Sequence, residues 1–573
     1  MQSNWDVNVQ KIDPKTRRDK IEYYFVVSCG ITITLLFASW WFSLQHVSNN
    51  FHGVAHFFDY VLFGILSFVV WFQMINELFF WNYVGSIRVP KYIEPQPGLK
   101  IAFLTAFVPQ KEPIEILSNT LSAMVEAEYS HDTWLLDEGN SEQVKRLCQR
   151  LGVKHFSRKN IEKYNQTSGK FKAKTKAGNY NSWYDTNSSN YDIVAQLDVD
   201  FVPKKNFLTK TLGFFRDPSI AFVGTPQIYG NQSESWIARG AAEQSFNFHG
   251  PMQKGLFGKD MPLLIGSNHV IRVKAHDDIG GYAGHIVEDH LTGIKVYAKR
   301  WKSIYVPEIL AVGEGPANWD SYFSQQMRWA YGLFHILFTQ TPKYLSRMKR
   351  IHGINYLWLQ HYYFYGLAQF LGIFLLLLYF LFGVQATSMK FIEMLVLFTA
   401  LISVQLAISL LFQRYNIDRK NESGFLLRGR LLQIAAWPIY LLALSLIIRG
   451  KRLSYKTTPK GSARVIYSSN LSLFIPHIVM GSLTLIALIA SIWTRHNAPN
   501  LIFWALLNTL VMYSFFAMEL FKFLRGNKID FRLQQQFAPI KAYYSDGFAP
   551  LTSGQLISKM RKLLLNTALL VIK

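Results

Sequence analysis

The sequence predicts an α/β domain with a largely parallel sheet, inserted between two N-terminal and about four C-terminal membrane helices. Three observations carry this. Apolar runs long enough to cross ~30 Å of hydrocarbon as helices lie at residues 24–44, about 60–81, 363–383, 391–412, 471–493 and 501–523. From about 89 to 318 no such run occurs. There, short strand-like runs at 101–107, 133–136, 193–197 and 221–224 alternate with helical stretches, as in sheets built from βα units. Finally, 60 Lys and Arg against 37 Asp and Glu give the 573-residue chain a net charge of +23, while mean hydropathy is only +0.09. Polar and apolar segments must therefore be segregated along the chain.

In order, residues 1–22 form an N-terminal segment with Lys11, Lys15, Arg17, Arg18 and Lys20. The apolar run behind it is too long for a signal-peptide core and no small-residue cleavage site follows, so it reads as a retained helix. Two membrane helices fill 23–84. Glu77 is the one charge in the second; such a carboxylate faces a bundle interior or wet cavity, or lies at the cytoplasmic surface beside Trp81 and Arg88. The α/β domain occupies 89–335 and interfacial helices 336–362. Two membrane helices follow at 363–413 and two more at 470–524. Segment 45–59 has no Lys or Arg, whereas 414–420, 449–464 and 522–532 are rich in both. The positive-inside rule puts those segments, the N-terminus and the α/β domain in the cytoplasm. Parity then makes 425–449, apolar but basic at both ends and interrupted by Pro438, an interfacial helix; a tilted spanning helix is the alternative. A loop at 450–465 follows it. The tail, 525–573, ends in an apolar stretch interleaved with Lys559, Arg561 and Lys562, which suits an amphipathic surface or partner-binding helix. Two cysteines, Cys29 and Cys148, exclude a disulfide scaffold, and an aromatic content of 15% excludes a disordered chain. The basic balance suggests a polyanion. No nucleic-acid module is present, and the basic residues cluster beside membrane helices, which points to anionic lipid and sets nucleic acid aside.

Four polar features stand in order within the α/β region. Asp137, in Leu-Leu-Asp-Glu-Gly, ends one strand and Asp198-Val-Asp200 a longer one. Glu288-Asp289 follow a glycine-rich segment, and Gln325-Gln-Met-Arg328-Trp329 opens a helical stretch. Open α/β sheets bind ligands at the carboxyl ends of strands, where Asp137, Asp198 and Asp200 sit. Two aspartates one residue apart point the same way and can hold one divalent cation. Mg2+ takes a few carboxylates plus substrate phosphate oxygens, which suits a nucleotide diphosphate whose departure the metal assists. A lone D-x-D is more often a loop cap. Asp289 is the candidate base, because sugar transfer with inversion needs a carboxylate to take the acceptor proton; Glu288 would tune or orient it. On its own the pair equally suits a helix N-terminus. Arg328 offers planar, bidentate neutralisation of a diphosphate. Trp329 offers a flat face for a sugar ring, and Gln325, one turn away, a hydrogen bond to the acceptor. Taken singly, an amphipathic helix with a buried tryptophan explains these as well.

The ordered set D, D-x-D, E-D, Q-x-x-R-W resembles the processive, inverting family-two glycosyltransferases: cellulose synthases, hyaluronan synthases and related bacterial β-glucan synthases. Val287 replaces the usual threonine before Glu288. Lys176-Ala-Gly-Asn179-Tyr-Asn181 resembles the family's K-A-G-N-x-N, and Gly266-Ser267-Asn-His-Val-Ile-Arg272 its G-S-x-x-x-x-R. Gly280-Gly-Tyr282 and Trp301-Lys-Ser fall where the family has them. The resemblance covers roughly 100–335, and the membrane layout loosely. It implies a Rossmann-like GT-A domain using Mg2+ or Mn2+ and a UDP-sugar. It assigns Asp137 to the base or ribose, Lys176 to the donor, and Asp198 and Asp200 to diphosphate and metal, with Asp200 the more direct ligand. Glu288 and Asp289 fall at the catalytic position, Arg328 on the donor diphosphate, and Gln325, Trp329 and Ser267 on the acceptor. Glu112 takes the place of the glutamate in the family's Tyr-Asn-Glu, although the residues before it differ. Tyr455-Lys-Thr457-Thr458-Pro-Lys460 resembles the F-x-V-T-x-K gating loop, which would bring Thr458 and Lys460 to the donor.

The implied protein is a multi-pass enzyme of the bacterial plasma membrane that moves glucose from UDP-glucose onto a growing β-glucan chain and exports it. UDP-N-acetylglucosamine as donor, as in hyaluronan- or chitin-type synthases, or single addition to a lipid carrier, are the alternatives. The tail after Arg525 has no R-x-x-x-R and is too short for a cyclic-di-GMP-binding barrel, so turnover independent of that nucleotide is expected. Trp358, Tyr362, Tyr363, Tyr365 and Phe374 are candidates to line a sugar path, with interface anchoring the simpler role for Tyr362 and Tyr363.

Overall fold

A computed structural model describes residues 9–109, 111–451, 453 and 470–526. Thr458, Lys460 and the tail beyond 526 lie outside the described residues. The chain divides into two units, one of residues 1–375 and 385–464, the other of 376–384 and 465–573.

The first unit holds the α/β domain. Its strands are β1 (Ile101–Phe107), β2 (Asp132–Asp137), β3 (Lys154–Phe156), β4 (Ile193–Asp198), β5 (Ile220–Gly224), β6 (His269–Arg272) and β7 (Lys302–Tyr305). They form one seven-stranded sheet in the order β7-β5-β6-β4-β1-β2-β3. β6 runs antiparallel to both neighbours and the remaining pairs are parallel. This is a mixed, Rossmann-like sheet. The central strands are apolar on both faces, as strands covered by helices on both sides must be. Ile101, Phe103, Phe107, Leu135, Ile193, Ala195 and Leu197 feed one core; Ala102, Leu104, Leu136 and Val194 feed the other. The register matters for function. Phe107 of β1 lies opposite Asp137 and Ala106 opposite Asp198, so both aspartates emerge at one carboxyl edge.

The helices that bear on the site and on the membrane layout are α1 (Arg17–Trp41), α2 (Phe57–Gly85), α3 (Lys176–Asn187), α4 (Trp236–Asn247), α5 (Glu288–Ala298), α6 (Trp319–Thr339), α7 (Thr341–Tyr344), α8 (Arg350–Gln360), α9 (Tyr365–Phe382), α10 (Phe391–Phe412), α11 (Leu427–Ala435), α12 (Trp437–Ile448), α13 (Ile475–Thr494) and α14 (Pro499–Gly526). Among the described residues six helices are long and apolar enough to cross a membrane, with only 17–39% of each apolar window buried. The uncovered remainder is the surface a lipid-facing helix presents.

Polar contacts in the first unit sort the helix ends. Arg414, just past α10, ion-pairs with Asp19 (2.9 Å) and Glu22 (2.8 Å) in the first turns of α1. Lys15 donates to the carbonyls of Val84 (3.3 Å) and Gly85 (3.0 Å), capping α2. Lys11 donates to Phe257 O (2.8 Å) and pairs with Asp260 in the α/β domain. These ends therefore lie on the α/β side. At the other end, Asn50 exchanges hydrogen bonds with the Gln385 backbone (2.7 and 3.0 Å), and Ser388 N–H donates to His46 O (3.0 Å).

The stretch expected at 425–449 is two helices, α11 and α12, which meet at 42° across Ala436. α11 lies against α4 of the α/β domain. Gly429 N–H donates to Glu243 Oε2 (2.9 Å) and Gln244 donates to Gly429 O (2.9 Å). A Cβ at Gly240 would stand 2.6 Å from Leu432 Cδ1, so the bare backbone permits the approach. Arg430 of α11 interacts electrostatically with Glu77, which puts that carboxylate at the α/β end of α2. In the second unit, α13 and α14 pack with the end of α9 through Tyr379, Phe380, Ala487 and Ala505.

Candidate active site

Four of the predicted residues, Lys176, Asp198, Glu288 and Asp289, meet at the carboxyl edge of β4 and the N-termini of α3 and α5. Lys176 is the first residue of α3, and Thr175 caps that helix by accepting from Gly178 N–H. A Cβ at Gly178 would stand 2.1 Å from Lys172 O and 2.7 Å from Arg158 Nη1, so the K-A-G-N glycine is required by the packing of the preceding loop. From this position Lys176 Nζ pairs with Asp198 Oδ1 at 2.5 Å, donates to Gly266 O, and stands 3.9 Å from Glu288 Oε1. Gly266 is in turn packed on the base: a Cβ there would lie 3.3 Å from Asp289 Oδ2. Asp289 Oδ1 accepts the His290 N–H (2.7 Å).

Electrostatics follow from this crowding. Burial alone would depress the Lys176 ammonium, but the charges of Asp198 and Glu288 outweigh it and hold its pKa well above the ordinary lysine value. Burial pushes Glu288 up to about 7, with Lys176 opposing the rise and Asp289 adding to it. Burial also raises Asp289, against the donors of His290 and Gly266. The adjacent carboxylates are thus both raised and titrate as a pair, a shift in the direction that suits a general base.

The other predicted residues fall around this centre. Asp137 is fully buried. Its oxygens accept from Gly139 N–H (2.7 Å) and Ser141 N–H (2.8 Å) and face His155 Nε2 (3.2 Å); burial opposes ionisation, but these donors outweigh it and lower its pKa. Asp137 thereby shapes the strand-end turn. Glu112 accepts from Val108 N–H (2.8 Å) and closes the loop after β1. Ser267, expected toward the acceptor, is fully buried behind the D-x-D: its Oγ accepts from Asp198 N–H (2.8 Å) and donates to Asn268 (2.8 Å). Asp200 is buried just past β4. On α6, Gln325 and Arg328 are half-buried and Trp329 is 38% exposed, which leaves the indole face available. Thr458 and Lys460 fall outside the described residues.

Several contributors had no local signal in the sequence. Gln326, beside the expected Gln325, is buried and accepts from Tyr440 of α12 (2.9 Å), tying the Q-x-x-R-W helix to its neighbour. His285, on the loop before Glu288, meets His335 of α6 at 3.0 Å; Val287 N–H donates to His285 Nδ1 (3.2 Å), so the His285 Nε2–H is the donor. This contact joins the catalytic loop to α6. Arg158 is fully buried, binds Glu138 (2.6 and 2.9 Å) and donates to the carbonyls of Tyr164, Lys172 and Thr175 (each 3.1 Å), fixing the loop that leads to Lys176.

Among the described residues no group of three or more His, Cys, Asp or Glu could hold a metal. The donor set is Asp198, with a side chain one-third exposed, and Asp200. Two carboxylates fit a hard cation that takes its remaining ligands from substrate phosphate and water, and do not fit a closed protein cage.

The profile of the family described as glycosyl transferase family group 2 matches residues 193–412. Among curated relatives, the cellulose synthase catalytic subunit [UDP-forming] of Pseudomonas fluorescens is 27% identical over 52% of this chain and 40% of its own length. The cellulose synthase 1 catalytic subunit [UDP-forming] of Komagataeibacter xylinus is 26% identical over 51% of this chain and 38% of its own. A probable glucomannan 4-beta-mannosyltransferase 14 of Arabidopsis thaliana is 29% identical over 35% and 38%. The chain thus spans two-fifths or less of the length of these relatives. Among solved structures, a mannosyltransferase from Pyrobaculum calidifontis in complex with GDP-Man and Mn2+ aligns with 68% of this chain and 100% of its own, at 14% identity and a TM-score of 0.44.

Proposed function

We propose that this chain, whose residues 193–412 belong to glycosyl transferase family group 2, is a membrane-embedded processive synthase. It transfers glucose from UDP-glucose to a growing β-glucan with inversion and passes the polymer across a bacterial plasma membrane, with the α/β domain in the cytoplasm. The observation that carries the reading is the half-buried cluster in which Lys176 bridges Asp198 and Glu288 beside Asp289.

Asp289, ionised, accepts the proton of the acceptor hydroxyl as that oxygen attacks the anomeric carbon, while the bond to UDP breaks on the opposite face. Lys176 and Arg328 neutralise charge on the departing diphosphate. Mg2+ or Mn2+ held by Asp200 and Asp198 would supply further neutralisation there. Asp137 and Glu112 hold the strand-end loops against which uridine lies, Trp329 stacks on the terminal sugar, and Gln325 holds the acceptor. Ser267 supports the D-x-D from behind. Thr458 and Lys460 contribute to donor binding, and 425–449 lies at the interface without crossing.

Membrane vesicles given one UDP-sugar at a time with Mg2+ or Mn2+, read by UDP release and by linkage-specific glycosidase digestion of the product, test the proposal. UDP release and a long, glycosidase-sensitive polymer with UDP-glucose alone support it, and an Asp289→Asn variant should release none. Release only with UDP-N-acetylglucosamine refutes the donor, and a single-sugar lipid product refutes processivity.

A further inference from the structure

Three polar residues outside the family motifs, two of them fully buried, connect the candidate base to the helices that follow α6. His290 is the third residue of α5 and its N–H is the donor to Asp289 Oδ1, at 2.7 Å. Its imidazole Nε2 lies 3.0 Å from Nε2 of Gln360, the last residue of α8. Gln360 Oε1 accepts the hydroxyl of Thr341, the first residue of α7, at 2.8 Å. Thr341 and Gln360 are both fully buried. The order of donors follows from one end. The Thr341 hydroxyl takes the Gln360 carbonyl oxygen, so the amide must turn its N–H2 toward His290, whose Nε2 is then the acceptor. The imidazole is neutral with its proton on Nδ1. Burial, with a contribution from His285, pushes its pKa down to about 3, consistent with that state. The Tyr356 ring of α8 closes the other side, edge-on at 5.0 Å between centroids.

We infer that Thr341 and Gln360 are positioning residues: they fix the His290 side chain, and through it the first turn of α5, so that the His290 N–H stays aimed at Asp289. The inference rests on Asp289 being the base. The physical argument is one of alternatives. A buried amide released from Thr341 can flip, and a flipped Gln360 presents its oxygen to an imidazole nitrogen that has no proton to give. The cost of that mismatch, an unsatisfied buried polar group, is what holds the ring, and with it the helix turn, in one orientation. Misplacement of a base by a fraction of an ångström is enough to slow proton transfer.

The experiment uses the full-length chain in membranes with the UDP-sugar that supports wild-type turnover. Gln360→Met and Thr341→Val are each expected to lower kcat ~10-fold while KM for the UDP-sugar stays within about twofold. Thr341→Ser, which keeps the hydroxyl, should restore wild-type kcat. The double variant should be no slower than Gln360→Met alone, because both changes break one relay. Thermal unfolding of purified variants confirms that each is folded. Wild-type kcat in folded Gln360→Met and Thr341→Val overturns the inference, as does a Thr341→Ser variant as slow as Thr341→Val, since methyl packing would then be the cause. Asp289→Asn separates this from the parent reading: if it still releases UDP, the base assignment itself is wrong, whereas an inactive Asp289→Asn beside fully active relay variants refutes the relay alone.

Discussion

Replacing Lys176 with methionine removes a cation that contacts both halves of the centre. Its Nζ lies 2.5 Å from Asp198 Oδ1 and 3.9 Å from Glu288 Oε1. At that second distance two unit charges interact by ~1 kcal/mol in water and ~4 kcal/mol at an effective dielectric of 20. With 1.36 kcal/mol per pKa unit, this is ~1–3 units on the carboxylate pair. The sign is fixed by the geometry. Burial raises Glu288 and Asp289, and Lys176 holds them down, so without the ammonium they rise further. A base works ionised, so activity is lost as pH falls through the pair's value, and in Lys176→Met that acid limb moves up by at least ~1 pH unit. The assay is UDP release at saturating donor across pH 5.5–9.5, which separates the shift from weaker donor binding. Lys176→Arg keeps the charge and should keep the limb near its wild-type position. An acid limb at the wild-type pH in an active Lys176→Met enzyme would refute the electrostatic argument.

Gly266→Ala places a methyl 3.3 Å from Asp289 Oδ2; the carboxylate must yield by a few tenths of an ångström, and kcat should fall ~3–10-fold with an unchanged thermal midpoint. Trp329→Ala removes the exposed stacking face; product length, read by gel filtration of digested and undigested polymer, should shorten while donor KM changes little. Arg158→Met strands Glu138 and three carbonyls around a buried site, so thermal unfolding should show a loss of ~3–5 kcal/mol, and donor KM should rise because the loop before Lys176 loses its anchor.

The architecture could be read from periodicity because it rests on bulk burial. The apolar runs at 24–44 and 391–412 correspond to α1 and α10, and the strand-like runs at 101–107 and 193–197 to β1 and β4. A strand covered on both faces has to be apolar throughout, and a helix facing lipid has to be apolar around most of its circumference. The antiparallel β6 was not foreseen. His269–Arg272 is four residues long and begins with buried His269, whose hydrogen bond to Tyr282 at 3.0 Å satisfies a polar group that an apolar pattern would exclude. The break at Ala436 is similarly local: Pro438 in the first turn of α12 lacks the N–H needed to continue α11.

The active centre divides along a different line. Asp198, Asp200, Glu288 and Asp289 could be singled out because each stands at or just past a strand end or at a helix start, where backbone geometry already favours a ligand; Arg328, in the middle of α6, is singled out only by the Q-x-x-R-W spacing. Their supports could not be, because a support is defined by what it touches. Ser267 has the motif position of an acceptor contact but the burial of a brace, and only the 2.8 Å bond from Asp198 N–H distinguishes the two. Gln325 and Gln326 are adjacent and chemically identical; the 100° step of a helix turns one toward Tyr440 and leaves the other half-buried. His285 with His335, and His290 with Gln360, are 50 and 70 residues apart in sequence. Each pair holds the segment carrying Glu288 and Asp289 against a different helix, α6 in one case and α8 in the other. The two carboxylates are therefore clamped between α6 and the helix leading into the third apolar span, so displacement of either helix must move them. Under the proposed function, that linkage gives chemistry and chain movement a shared mechanical element, built from polar contacts that no hydropathy pattern encodes.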